Sequence, residues 1–119
     1  MNKHLKIGFV SEQIEKPVMS ALAQVATTLF GYKVDEIRYQ DFKPQHVQER
    51  GIDALVLEGR NESDEKYALE IRKQVQKPVL YFALGSTKND LAKHGIEVYQ
   101  QAGAIEMLVR LDELPRRTI

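Results

Sequence analysis

Two short stretches constrain this chain more than anything else in it: Ile52 to Leu57, reading IDALVL, and Val79 to Leu84, reading VLYFAL. Both are nearly all apolar. A strand with one wet face alternates polar and apolar positions, whereas a run apolar throughout suits a strand covered on both faces, the setting of a parallel sheet clad in helices. Three weaker runs fit the same scheme. Leu5 to Val10 (LKIGFV) and Ile96 to Tyr99 are short and apolar, and Val34 to Tyr39 (VDEIRY) alternates as an edge strand does.

Helix signals fill the gaps. Pro17 opens a segment from Val18 to Phe30 that Gly31 closes, proline at the start and glycine past the end being the usual punctuation. Lys43 to Arg50 is a short helix candidate bounded by Gly51. Ser63-Asp64-Glu65 offers a capping hydroxyl and two acids to a helix start, where the dipole favours negative charge. That helix should run to about Gln76, with Tyr67, Ala68, Ile71 and Val75 on one face, until Lys77-Pro78 stops it. Lys88 to His94, ended by Gly95, is a further short helix, and Ala102 to Leu114 the last. Strands that each lead into a helix predict parallel pairing with right-handed crossovers and helices on both faces, a three-layer αβα arrangement. The 119 residues are expected to form one domain, with 115–119 a tail or the start of a linker.

Charge narrows the function. The 17 basic and 17 acidic residues balance overall, and no basic stripe offers itself to nucleic acid, which draws its affinity from neutralised phosphates. Arg116-Arg117 is read as a solvated tail. With no cysteine, disulfides, thiolate zinc sites and cysteine nucleophiles are excluded together. No stretch approaches the ~18 apolar residues of a membrane span. A cytoplasmic protein is expected.

In doubly wound sheets, ligands bind beyond the carboxyl ends of the strands. The residues expected there are Ser11-Glu12, Glu58-Gly59, Ala83 to Ser86 and Gln100-Gln101. A phosphate cradle wants glycines or hydroxyls after the first strand so that backbone N–H groups can approach the anion. Ser11 to Lys16 (SEQIEK) has no glycine and two acids, which disfavours dinucleotide, P-loop and flavodoxin-type phosphate sites. His4, His46 and His94 lack ligand spacing and are read as surface or boundary residues.

Several segments resemble a response-regulator receiver domain over nearly the whole chain. Asp53 to Glu58 (DALVLE) is similar to the third-strand segment that ends in the family's phosphoacceptor, Lys77-Pro78-Val79 to the entry of its fourth strand, and Gly95 to Leu114 to its run from strand five into the last helix. The resemblance implies a flavodoxin-like fold, a five-stranded parallel sheet in the order 2-1-3-4-5. It also locates departures. The family's acidic pair reads Ser11-Glu12, the phosphoacceptor position holds Glu58, the hydroxyl residue after strand four is Ala83, and the lysine after strand five is Gln101, followed by Ala102. Phosphoryl transfer relies on positioning and on metal and cation to neutralise charge, and most of those groups are missing. Glu12 and Glu58 are therefore expected as solvated acids at strand ends, pairing with Arg60 or Lys88. They are also the one pair from which a weak magnesium site could be built.

If the crevice is inert, function falls to the surfaces. Ala104, Ile105, Met107, Leu108, Val109, Leu111 and Leu114 span about 220° of the last helix, against the ~100° that facing a core requires. The excess arc, centred on Ile105, Met107, Leu108, Val109 and Leu111, is expected to form an interface, and in receivers this region is a dimerisation face. From Val18 to Tyr32 the first helix carries no charge, its polar face being Ser20, Gln24, Thr27 and Thr28. The expected function is a non-catalytic regulatory module acting through homodimerisation or a protein partner, without a cofactor.

Two other resemblances set alternatives beside it. Asp53 to Val56, Ala68-Leu69-Glu70-Ile71 and Lys77-Pro78-Val79 are similar to nucleoside deoxyribosyltransferase-like domains, which would make Glu70 a nucleophile. Ile7 to Val10 and Gly51 to Gly59 resemble one lobe of sugar-binding regulators, which would make the chain a small-ligand sensor.

Overall fold

A computed structural model of the chain describes residues 5–12 and 17–114. The elements are β1 (Lys6–Ser11), α1 (Pro17–Phe30), β2 (Lys33–Arg38), α2 (Gln45–Glu49), β3 (Ala54–Gly59), α3 (Glu62–Gln74), β4 (Val79–Ala83), β5 (Ile96–Gln100) and α4 (Ala104–Glu113), with 3-10 turns at Tyr39–Asp41, Ala92–His94 and Gln101–Gly103. The five strands are all parallel, in the order β2-β1-β3-β4-β5. The expected architecture and strand order are what the chain adopts.

The apolar runs explain the centre of the sheet. Every residue of β3 and of β4 is buried, because each of these strands lies between two neighbours and under helices on both faces. Side chains alternate across the sheet, so Ile7, Phe9, Ala54, Val56, Leu80 and Phe82 pack toward α1 and α4. Val10, Leu55, Leu57, Val79 and Tyr81 pack the other way, with Ala68 and Ile71 of α3 and Val47 of α2. Gly31 ends α1 in the left-handed region, with φ of 72°, where a side chain would be strained. Across the α1/α4 layer, the Tyr32 hydroxyl donates to the Leu108 carbonyl at 2.8 Å.

Three expectations are corrected. The cap of α3 is Asn61, whose side chain accepts from the Asp64 N–H at 3.0 Å; Ser63 lies within the first turn and is exposed. No α-helix joins β4 to β5. Residues 84–91 form an irregular loop that leads into a single 3-10 turn. The last helix begins at Ala104, after a 3-10 turn, where Ala102 was expected. His4, the loop 13–16 and the tail from Pro115, with Arg116-Arg117, lie outside the described residues.

Candidate functional site

Ser11 is the last residue of β1, and Glu58 the last but one of β3. The two-residue period that points Ile7, Phe9, Ala54 and Val56 toward α1 and α4 carries Ser11 and Glu58 to the same face, on adjacent strand tips. There the Ser11 hydroxyl donates to Glu58 Oε1. The Arg60 guanidinium stands 3.5 Å from Oε2, so both carboxylate oxygens are engaged. Glu58 is 2% exposed and Ser11 0%. The solvated acid expected at this position is instead sealed inside, because β3 continues through Glu58 to Gly59.

Aromatic hydroxyls surround the same tip. Tyr39, in the turn after β2, donates to the Glu58 backbone carbonyl at 2.9 Å and stacks on Tyr67 of α3 with ring centroids 4.9 Å apart. Across the sheet, Tyr81 aims its hydroxyl at Gly59. A Cβ on Gly59 would lie 1.7 Å from that oxygen, so only glycine fits. The buried Asp64 carboxylate accepts the Arg60 N–H at 2.9 Å. The buried Glu65 carboxylate reaches the β4–β5 loop, taking the N–H groups of Lys88 and Asn89.

Burial dominates the electrostatics. It pushes the Glu58 carboxyl above its ordinary value; the hydrogen bond from Ser11 and the Arg60 charge pull it back down, while Asp64 adds to the rise. Tyr39 and Tyr81 are pushed far up, first by burial and then by neighbouring groups, with the charges of Asp64 and Glu58 acting on both. A hydroxyl bonded to a carboxylate is the beginning of a nucleophile and base pair. Here, with both side chains sealed from solvent, the contact ties β1 to β3.

The other expected site residues differ in their exposure. Ala83, the last residue of β4, is buried. Glu12 is exposed. Gln101 is exposed in the turn after β5 and lines a groove of about 410 Å³ with Ala21, Leu22, Val25, Phe82, Ala104 and Ile105. Among the described residues no group of three or more His, Asp or Glu side chains could hold a metal ion. Glu70 is exposed in the second half of α3, paired with Lys73 at 3.5 Å. His46 accepts the Lys43 N–H at 3.2 Å, and His94 is exposed.

The arc on α4 divides. Met107, Leu108 and Leu111 are core residues against the sheet, which removes them from any interface. Ile105 and Val109 remain outside, 53% and 42% exposed. Beside them Arg110 grips Glu97 of β5 in a fork, with the closer contact at 2.8 Å, and holds that carboxyl below its usual range. Sequence reasoning passed over Tyr39, Tyr81, Asp64 and Glu65 as site residues. The spacing Asn61-x-x-Asp64 carried a cap signal, but nothing local marked the partners of Glu65, which lie 23 and 24 positions along the chain.

No family model matches the chain, and no curated protein matches it. Among solved structures it is similar to a flavodoxin from the domain Archaea, at 12% identity over 91% of this chain and 99% of that one, with a TM-score of 0.58. It is also similar to the flavodiiron protein from Giardia intestinalis, at 12% identity over 94% of this chain and 36% of that one, with a TM-score of 0.51. Among the described residues no helix is long and apolar enough to cross a membrane. With likenesses at this identity speaking for architecture alone, the chain has a flavodoxin-like α/β fold.

Proposed function

We propose that the chain is a non-catalytic, receiver-like regulatory domain that acts in the cytoplasm by binding protein, either a second copy of itself or another partner. The observation that carries this reading is the state of Glu58. It stands where a receiver would accept a phosphoryl group, yet it is buried, bonded to Ser11 and faced by Arg60. A phosphoacceptor needs an open carboxylate, a metal-binding acidic pair, a hydroxyl and a cation. The corresponding residues are a buried Glu58, a single exposed Glu12, Ala83 and Gln101. The flavin that a flavodoxin-like fold brings to mind does not suit these residues either. The loop opening at Ser11 has no glycine, and its two acids, Glu12 and Glu15, would meet the phosphate with negative charge.

A chain with an inert crevice works through its surface. Ile105 and Val109 supply exposed apolar area on α4, next to Tyr99 of β5. Two experiments test the reading. Incubation with acetyl phosphate and magnesium should leave the intact mass unchanged; an acyl phosphate on Glu58 would overturn the non-catalytic part. Light scattering across a dilution series should show association that Ile105→Glu and Val109→Glu abolish. A chain monomeric at every concentration, indifferent to both substitutions, would remove the homodimer.

A further inference from the structure

We propose that the β4–β5 loop is an oxyanion receptor that the chain keeps filled with its own Glu65, and that the order of the loop depends on that seat being occupied. Glu65 is 1% exposed, yet no cationic side chain pairs with it among the described residues. Its charge is solvated by neutral donors of one short segment. The Lys88 N–H reaches both carboxylate oxygens, at 3.1 and 3.0 Å. The Asn89 N–H and the Asn89 side-chain amide both reach Oε1 at 2.8 Å. Consecutive backbone N–H groups converging on one point, assisted by an amide, are the build of an anion nest. The nest lies beyond the carboxyl end of β4, the edge at which sheets of this topology receive ligands. The ligand here is a side chain of α3.

Little else fastens the loop. Leu84 donates to the Gly59 carbonyl at 2.9 Å at one end, and Leu91 inserts into the α2/α3 layer at the other. Between these anchors the tie to the body of the fold is the Glu65 carboxylate, with the remaining hydrogen bonds of the segment local to it. Glu65 is thus a positioning residue. Removing its carboxylate should empty the nest and release the loop, and a small free carboxylate should be able to take the vacated place.

The test is amide hydrogen exchange on Glu65→Ala, with formate as the probe and chloride at equal ionic strength as the control. Loss of several charge-assisted bonds should speed exchange at Lys88 and Asn89 on the order of 100-fold, while β1, β3 and β4 keep their protection. Formate should reverse the change saturably, chloride should not, and the unsubstituted chain should respond to neither. Formate acting no better than chloride would overturn the receptor. Equal acceleration through β3 and β4 would show that the loop has no separate opening. Should Glu65→Ala fail to fold, Asn89→Ala keeps the carboxylate and removes one donor. It should give a smaller acceleration confined to the loop, and a spread of that acceleration into β3 would count against the proposal in the same way.

Discussion

Replacing Glu58 by glutamine should make this protein more stable near neutral pH. Glutamine has the same shape, and its amide oxygen can still accept the Ser11 hydroxyl, so the tie between β1 and β3 survives. What disappears is a charge held out of water. The compensating ion pair is long, at 3.5 Å, and its Arg60 end is partly exposed, so it returns little. Exchanging a buried, imperfectly paired charge for a neutral group of similar shape is typically neutral to a few kcal/mol favourable, and a gain of about 1 kcal/mol is expected here. The pH dependence gives the sharper signature. Burial raises the Glu58 carboxyl in the folded chain, so the folded state holds its proton more tightly than the unfolded state does. Stability from this group is then fully present below the ordinary value of 4.5 and is lost as pH rises through the folded value. The glutamine variant lacks that titration. Urea unfolding of both proteins, at neutral pH and below pH 4.5, should show the gap closing on acidification. A variant less stable than the parent at neutral pH, by an amount that does not change with pH, would refute the reasoning and make the Arg60 pair a net stabiliser.

Other substitutions probe the same framework. Tyr81→Phe removes a buried hydroxyl that forms no hydrogen bond with the described residues, and thermal melts should find it neutral or up to about 1 kcal/mol more stable. Gly59→Ala drives a methyl into that same hydroxyl and the ring carbon beneath it, so it should lower stability by about 3 kcal/mol or prevent folding, as judged by near-ultraviolet circular dichroism. Leu108→Ala opens a cavity at a fully buried position and should cost about 3 kcal/mol in denaturant unfolding. Glu97→Gln breaks the fork with Arg110. Because that fork lowers the folded carboxyl, its contribution is present above 4.5 and lost as pH falls through the lower folded value, so variant and parent should converge in acid.

The sheet was legible because its evidence is local. Apolar runs of five or six residues mark strands covered on both faces, and Gly31, Gly51 and Gly95 mark where elements end, all three with positive φ. The site was less so. Glu58 follows four buried residues of β3, and the sequence has no sign of whether a strand ends before or after its first acid; pairing with Phe82 of β4 decides that. The α4 arc misled for a related reason. Its apolar width was read correctly, but which part faces the sheet depends on where α1 lies, and that placement puts Met107, Leu108 and Leu111 inside. Glu65 was invisible because its partners are chiefly backbone N–H groups, which every residue but proline possesses.

The two outer strands have a consequence for how copies of this chain can meet. Exposed edges invite end-to-end growth of one sheet into the next, and charged side chains discourage it. On one border β2 carries Lys33, Asp35, Glu36 and Arg38 in six residues; on the other, β5 carries Glu97 clasped by Arg110. Sheet extension at either border would have to strip water from these groups without offering them new partners. Any stable pairing of two copies is thereby steered away from strand-to-strand zippering and toward the outer sides of the helices.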